Sequence, residues 1–295
     1  MTFSAGAGYP MPERLLLCTD LDRTLIPNGP QPESPGAREI FAALVKDTRV
    51  VLAYVTGRHR QLVEEAVEQY GLPLPDFVIG DVGTTIYRLE PGGNWQLETS
   101  WDEQIDSDWN GMSNQDLQGL LSDIPALRLQ EAHKQNSHKL SYYHALNSDQ
   151  GAISSAIETR LQSRGVKATL VWSVDEPAAV GLLDILPRAA SKYHAVAWLQ
   201  RRLGFTDDDT VFSGDSGNDI EVLASPVPAV LVANCEAQVR EQALLEAEAA
   251  GYGARLYIAR GGFQGMNGNY SAGILEGIAH YHPALLKQVC SEAME

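Results

Sequence analysis

The sequence predicts an α/β protein whose parallel sheet is covered by helices on both faces. Short apolar runs rich in branched residues recur along the 295-residue chain, and most are separated by stretches with the apolar periodicity of a helix. Strands that alternate with helices in this way form parallel sheets. The predicted strands are residues 15–18, 50–55, 77–79, 211–212, 229–232 and 256–258.

A change in this pattern marks an inserted domain. Between residues 86 and 184 the alternation is lost, tryptophans stand among polar and acidic residues, and residues 139–143 have the pattern of an edge strand. We therefore expect a core domain of residues 1–85 and 185–295 and an inserted domain of residues 86–184. Three tryptophans are expected to pack in the insertion or on its surface rather than to stack on a ligand, namely Trp95, Trp101 and Trp109.

Composition argues against two classes of partner. The formal net charge is −16, the pI is about 4.8, and lysine and arginine form no cluster, so neither nucleic acid nor an anionic membrane is expected. The longest early apolar run, residues 15–18, is too short for a signal peptide or a membrane span, and we expect a cytoplasmic protein. Three histidines on a polar stretch are expected at the solvated surface: His133, His138 and His144.

The most informative motif is a pair of acidic residues at the end of the first predicted strand. An apolar run ends in Asp20 and Asp22, two carboxylates spaced i and i+2. A buried parallel strand delivers acids to the rim of a sheet in this way. Considered alone, the pair is as typical of a helix cap or a turn as it is of a functional site.

Three further motifs stand at predicted strand ends or helix starts. Thr56 and Gly57 follow the second strand, where a hydroxyl and an exposed backbone N–H can hold an anion at a helix N-terminus. Lys192 begins a later helix and places an ammonium where a second phosphate contact is useful. Asp215 and Asp219 follow another strand, in a loop bent by glycines.

Acids in this arrangement favour a metal site. Mg²⁺ prefers oxygen ligands from one or two carboxylates together with water and substrate phosphate, and Asp20, Asp215 and Asp219 can provide such ligands. Without a cation these acids would repel one another and their pKa values would rise.

In this order, the four motifs resemble those of the haloacid dehalogenase superfamily of aspartate-nucleophile phosphatases. The resemblance implies a Rossmann-like three-layer core with a parallel sheet and an inserted α/β cap of the C2 type. It implies that Asp20 attacks phosphorus and that Asp22 acts as acid and base, its backbone carbonyl also binding Mg²⁺. Further implied contacts are those of Thr56, Lys192, Gly57 and Asn218 with the phosphoryl group and those of Asp20, Asp215 and Asp219 with Mg²⁺.

Longer segments narrow the substrate to a phosphorylated sugar. Residues 77–84, 139–143, 183–187, 214–219 and 272–278 are similar to sucrose-phosphate phosphatases, which implies hydrolysis of a phosphorylated disaccharide, first of all sucrose 6-phosphate. Many of those enzymes carry glutamate where this chain has Thr85, and here the chain is more similar to mannosylfructose-phosphate phosphatase. We expect four cap residues to contact the sugar or to lie near it: Lys139, Tyr142, Gln135 and Asp184.

Several alternatives stay open. The substrate could be another sugar phosphate or osmolyte precursor, or the chain could be an inactive sugar-phosphate-binding module that docks on the matching synthase. Such a module would be expected to lose Asp20 or Asp22, and this chain keeps both. Arg58 is expected in an ion pair rather than in catalysis, and the glycine-rich residues 261–269 could form a mobile surface loop or part of the site rim.

Overall fold

The large sheet of the protein is the frame on which every motif is placed. The computed structural model describes residues 14–175 and 178–292, with side chains up to residue 287. Within them, eight strands pair in the order β12 (Leu256–Ile258), β11 (Ala229–Leu231), β10 (Thr210–Gly214), β1 (Leu15–Thr19), β2 (Val50–Val55), β3 (Phe77–Gly80), β4 (Thr85–Leu89) and β5 (Trp95–Leu97). The first six pair in parallel, whereas β4 and β5 are antiparallel.

Helices cover both faces of this sheet, as predicted. One face packs against α1 (Ala37–Leu44), α2 (Arg60–Tyr70), α9 (Ser271–Tyr281) and α10 (Pro283–Glu292). The other packs against α3 (Thr99–Asp106), α6 (Lys192–Leu203), α7 (Ile220–Leu223) and α8 (Ala237–Ala249). In β1, Leu15 and Leu17 face the first group while Leu16 and Cys18 face the second. A strand buried on both faces needs an unbroken apolar run, which is the sequence found there.

A second, smaller sheet is antiparallel, and among the described residues it has helices on one face only. Its order is β6 (Arg128–Leu129), β7 (Leu140–His144), β9 (Val180–Pro187) and β8 (Ala168–Asp175). The helices α4 (Asn114–Leu121) and α5 (Gln150–Ser163) pack against one face with Leu183 and Ile185. Because side chains alternate along a strand, Val171 and Asp184 point to the other face. That open face is turned toward a cleft between the two sheets.

Sheet pairing corrects the expected limits of the insertion. Residues 86–97 were assigned to it, yet β4 and β5 are hydrogen-bonded into the large sheet, and α3 packs there through Trp101 and Ile105. At the other end, β9 stays in the small sheet as far as Pro187. The elements of the cap therefore lie within residues 107–187. Because β4 follows β3 directly and pairs with it antiparallel, the alternation of strands and helices ends before the large sheet does. The sequence pattern therefore places the start of the insertion too early in the chain.

The aromatic residues pack as expected, but two histidines do not. Trp109 is buried in the cap, and Trp95 packs against Tyr87 on the large sheet. His138 and His144 are only 7% and 4% exposed, so their expected place at the solvated surface is wrong. His138 Nε2 lies 3.2 Å from a carboxylate oxygen of Asp106, and His144 packs edge-on to Trp172. His133 is exposed, as expected.

The glycine-rich residues 261–269 are tied to the core. The buried carboxylate of Glu276 accepts hydrogen bonds from the backbone N–H groups of Arg260 and Gly261, at 2.9 and 2.8 Å. Asn267 Nδ2 donates to the carbonyl of Pro32 at 2.8 Å. The loop thus braces the segment that follows the acidic pair. In the described part of the chain, no helix has the length and apolar character required to cross a bilayer.

A strained turn joins β3 to β4. Its residues Asp81, Val82 and Gly83 all have positive φ, at 51°, 63° and 99°. Such angles are uncommon for side chains with a Cβ, and unusual for β-branched valine. At Gly83 a Cβ would lie 2.5 Å from the backbone carbonyl of Ser191, the residue before α6. Glycine at this position therefore lets the turn pack directly against the start of the helix that carries Lys192.

We predict that Gly83→Ala destabilises the protein by roughly 2–5 kcal/mol, because it adds left-handed strain and a backbone clash. Gly92→Ala is the matched control: its φ of 105° is similar, but nothing lies within 4 Å of the added Cβ. That variant should lose only about 1–2 kcal/mol. Urea unfolding measures both, and equal losses would contradict the packing argument.

Candidate active site

Three neighbouring parallel strands deliver the first polar side chains of the site. Asp20 follows β1, Thr56 follows β2 and Asp215 follows β10, and these strands are adjacent in the sheet. The backbone N–H of Asp20 still donates to the carbonyl of Ser213 at 2.9 Å, so its position is fixed by the ladder itself. Because the carboxyl ends of parallel strands meet at one edge, residues far apart in sequence come together here.

Lys192, the first residue of α6, is the buried cation of this cluster. It is 2% exposed, and its Nζ lies 2.7 Å from Asp219 Oδ1, 3.0 Å from Asn218 Oδ1 and 3.2 Å from Asp20 Oδ2. Burial opposes the charged form, but the carboxylates of Asp20 and Asp219 outweigh it and raise the pKa of Lys192. The lysine is therefore held as an ammonium at the centre of the acids.

Three buried carboxylates form a group that could hold a divalent metal ion. One ligand atom each from Asp20, Asp215 and Asp219 lies within 4.8 Å of the other two. Burial raises the pKa of Asp20 well above its usual range and that of Asp215 to about 7, and neighbouring carboxylates add to both shifts. A group of carboxylate oxygens with too little positive charge around it suits a hard divalent cation.

The side chain of Asp22 lies apart from this group, in an ion pair with Arg58. Arg58 Nη2 and Nε lie 2.6 and 2.7 Å from the two carboxylate oxygens, and Asn28 Nδ2 donates to the same carboxylate at 2.7 Å. Burial would raise the pKa of Asp22, but the hydrogen bonds and the charge of Arg58 outweigh burial and lower it. Arg58 is thus in an ion pair, as expected, and its partner is the predicted acid and base.

Arg23 adds a second cation beside Asp215. Its backbone has a φ of 58°, and its Nε lies 3.6 Å from Asp215 Oδ2. Thr24 Oγ1 donates to the other oxygen of Asp215 at 3.1 Å. The backbone carbonyl of Arg23 accepts a hydrogen bond of 2.6 Å from Asn234 Nδ2, which holds the loop in this conformation.

The loop between Asp215 and Asp219 lines a cleft of about 530 Å³ between the core and the cap. Ligand pockets for small molecules commonly have this size. The core wall includes Gly57 and Asn218, which were predicted to contact phosphate, and the cap wall includes Lys139 and Asp184, which were predicted to contact or lie near the sugar. The structure therefore brings four of the predicted binding residues to one space.

Two predicted sugar contacts are placed elsewhere. Tyr142 shares a face of β7 with Leu140 and packs inside the cap. The amide of Gln135 is engaged with backbone, since Nε2 donates to the carbonyls of Gln130 and Ser141 and Oε1 accepts from Ser141 N at 2.8 Å. Neither residue lines the cleft in this structure, and contact of either with the sugar stays a prediction. Tyr142 points away from the cleft because successive side chains of a strand point to opposite faces.

Other cleft residues had no motif to indicate them. His59 lies at the start of α2, and its ring is 6.1 Å from that of His133 on the cap. Lys134 lines the cap wall and donates to Tyr143 Oη at 2.7 Å. For Val171 the sequence did carry a signal. Its neighbours in β8 are apolar and pack toward the helices of the cap, so alternation along the strand turns Val171 to the other face.

Solved structures share this architecture. The sucrose-phosphatase of Synechocystis sp. PCC6803, determined with sucrose and phosphate, superposes with a TM-score of 0.69 at 27% identity, over 91% of this chain and 98% of that one. A haloacid dehalogenase-like hydrolase from Bacillus subtilis gives a TM-score of 0.61 at 18% identity, over 91% and 92%, which shows the fold alone. The fold and the acidic cluster define a phosphatase of the haloacid dehalogenase superfamily, a phosphoric monoester hydrolase.

Within that superfamily, the chain belongs to the sucrose-6F-phosphate phosphohydrolase family, whose model matches residues 13–282. It is 50% identical over 273 residues to a protein of Nitrosococcus oceani described only as a HAD-like hydrolase, covering 92% of this chain and 73% of the relative. It is 33% identical to the mannosylfructose-phosphate phosphatase of Agrobacterium fabrum over 69% and 76% of the two chains. Sucrose-phosphatase 1 of Nicotiana tabacum is 30% identical over 77% of this chain and 52% of its own length.

The raised pKa of Asp215 sets the sign of a pH effect on stability. Its pKa of about 7 in the folded protein exceeds the value of 3.8 for a free side chain, so the folded state binds this proton more tightly. Stability should therefore fall as the pH rises from about 4 to about 8 without added metal.

We predict that Asp215→Asn removes this loss and makes the metal-free protein more stable at pH 8 by about 2 kcal/mol, while abolishing stabilisation by added MgCl₂. Urea unfolding at pH 6 and pH 8, with and without MgCl₂, measures both effects. Asp208→Asn, on the exposed surface, is the control and should change neither. A variant that is less stable than the parent at pH 8 without metal would contradict the electrostatic argument.

Proposed function

We propose that this chain is a Mg²⁺-dependent phosphatase that hydrolyses a phosphorylated disaccharide, with sucrose 6-phosphate as the first candidate and mannosylfructose phosphate as the second. The observation that carries the proposal is the position of Asp20. Its carboxylate lies beside a buried ammonium and two further acids, and the loop between those two acids, residues 216–218, lines a cleft whose other wall is the open face of the cap.

Asp20 is the proposed nucleophile. Its Oδ1 accepts a hydrogen bond of 2.7 Å from the backbone N–H of Leu21, and its Oδ2 faces Lys192. The ladder and these two donors hold the carboxylate in one orientation, which favours in-line attack on phosphorus. Lys192 and the hydroxyl of Thr56 would bind the equatorial oxygens of the phosphoryl group. The product of this step is an aspartyl phosphate and the released alkoxide.

Asp22 is the proposed acid and base. To protonate the leaving sugar oxygen, its carboxylate must leave the pair with Arg58, which favours the ionised form. The same carboxylate then removes a proton from the water that hydrolyses the aspartyl phosphate. This second transfer returns Asp22 to its acid form for the next substrate, and Arg58 would stabilise the anion that exists between the two proton transfers.

The donor set of Asp20, Asp215 and Asp219 fits Mg²⁺. We propose the backbone carbonyl of Asp22 as a fourth contact. When bound, the ion would neutralise phosphoryl charge and keep the acids ionised. Asn218 accepts from Lys192 and from Ser216 Oγ, so its amide N–H₂ is left to contact the phosphate.

Two relatives support the choice of sugar. The Synechocystis enzyme was determined with sucrose, and the Agrobacterium relative acts on mannosylfructose phosphate by its name. The cleft of about 530 Å³ leaves room for two sugar rings beside the phosphoryl site. Docking of the chain on a matching synthase and a cytoplasmic location stay predictions.

A substrate panel tests the assignment. We expect kcat/KM for sucrose 6-phosphate or mannosylfructose phosphate to exceed that for glucose 6-phosphate by about 100-fold, because the cap then contacts two rings rather than one. Release of inorganic phosphate from each compound measures this preference. Equal and feeble turnover of every sugar phosphate would contradict both disaccharide assignments.

Asp22→Asn tests the acid and base roles separately. With p-nitrophenyl phosphate the leaving group needs no proton, so the variant should release about one equivalent of nitrophenol per site and then stall. With the sugar phosphate, whose alkoxide needs a proton, turnover should fall about 10²–10⁴-fold. Asp20→Asn is the control and should show no burst with either substrate. A steady state without a burst in Asp22→Asn would contradict its role in hydrolysing the intermediate.

A further inference from the structure

Asp81 is a buried carboxylate to which neither the sequence analysis nor the proposed mechanism assigns a role. It follows β3 at the rim of the large sheet, is 6% exposed and has a backbone φ of 51°. Charged residues are seldom buried unless they are paired, and strained backbone is often found at functional sites. Its surroundings therefore require an explanation.

The partner of Asp81 comes from the cap. Lys139 Nζ lies 3.8 Å from Asp81 Oδ1 and 3.9 Å from Asp184 Oδ2, and the lysine side chain is 11% exposed. Both separations are longer than a hydrogen bond. The ammonium is thus held by charge between a carboxylate of the core and one of the cap, and it donates to neither.

Each carboxylate is itself fixed through its other oxygen. Thr85 Oγ1 donates to Asp81 Oδ2 at 3.1 Å, and Ser141 Oγ donates to Asp184 Oδ1. Beside them, Asn136 Nδ2 of the cap donates to Thr84 Oγ1 of the core at 3.0 Å. The position of the ammonium is therefore set by two anchored charges, one on each domain.

Lys139 and Asp184 line the cleft, whereas Asp81 lies behind them. An ammonium has three N–H donors and no acceptor, so Lys139 retains donors for a ligand in the cleft. Burial raises the pKa of Asp81, and the charge of Lys139 opposes that rise. The charge of Lys139 therefore stabilises the ionised form of Asp81.

We propose that Asp81 is a positioning residue that sets selectivity for the sugar, by holding Lys139 Nζ in the cleft with its N–H groups directed to a hydroxyl of the leaving group. The proposal rests on the proposed function. Because Asp81 belongs to the core and Lys139 to the cap, the ammonium has this position only when the two domains meet as described. Recognition of the sugar is thereby linked to closure of the cap.

Asp81→Asn is the sharpest probe, since asparagine has the same shape, tolerates positive φ and removes the charge. We expect KM for the preferred sugar phosphate to rise about tenfold, the effect of one misplaced charged hydrogen bond. The values of kcat for this substrate, and of kcat/KM for p-nitrophenyl phosphate, should change less than about twofold. Lys139→Met should also raise KM for the sugar phosphate, and the double variant should raise it no further than Lys139→Met alone.

Asp106→Asn is the matched control. Asp106 is also a carboxylate of the large domain that contacts the cap, through His138, but it is 63% exposed and does not line the cleft. Its KM should equal that of the parent, which separates positioning of Lys139 from loss of any contact between the domains. Thermal unfolding of all variants checks that each is folded.

The outcomes are distinguishable. A parent enzyme without preference for sugar phosphates over p-nitrophenyl phosphate would overturn the proposed function, and this inference with it. If the parent is selective but Asp81→Asn keeps the parental KM, the inference alone is overturned. An equal loss on both substrates would also overturn it, because it would show a structural role for Asp81.

Discussion

The burial of three like charges with only two cations beside them is the constraint on which the rest of this structure depends. Carboxylates removed from water repel one another and take up protons unless a cation is close; Lys192 lies beside Asp20 and Asp219, and Arg23 lies beside Asp215. The apolar strands and the direct packing of Gly83 on the start of α6 keep these groups together. The remaining negative charge is what makes the site suited to a divalent cation and a phosphoryl group.

Phosphate chemistry and sugar recognition are divided between two walls of one cleft. The core wall carries the acids on strand ends, whose positions follow from the hydrogen-bond ladder, and the cap wall is one face of an antiparallel sheet. The strained turn at Asp81 and Val82 joins the two, because its backbone packs on the core while its carboxylate faces Lys139. A site built in this way can keep its reaction constant while the cap changes its substrate.

The positions of the acids could be predicted from the sequence, whereas the contacts of the cap could not. Asp20 and Asp215 each follow an apolar run of the kind found in strands buried on both faces of a parallel sheet. Because the carboxyl ends of such strands lie at one edge, the two residues could be predicted to come together there. The packing of Tyr142 inside the cap could not be predicted, because the sequence of a short strand does not reveal which of its faces is covered. His138 and His144 lie in polar sequence and are buried by tertiary contacts. Asp81 stands in a turn without periodicity, and only the structure shows Lys139 beside it.

The central claim is that Asp20 carries the phosphoryl group during turnover. Rapid acid quenching of the enzyme with MgCl₂ and a sugar phosphate, followed by mass mapping of tryptic peptides, tests it most directly. The account predicts one added phosphoryl group on the peptide of residues 15–23, located at Asp20, that forms and decays within a turnover and is absent without the metal. Release of phosphate with no modified Asp20 at any quench time, or a phosphoryl group on another residue, would contradict the account.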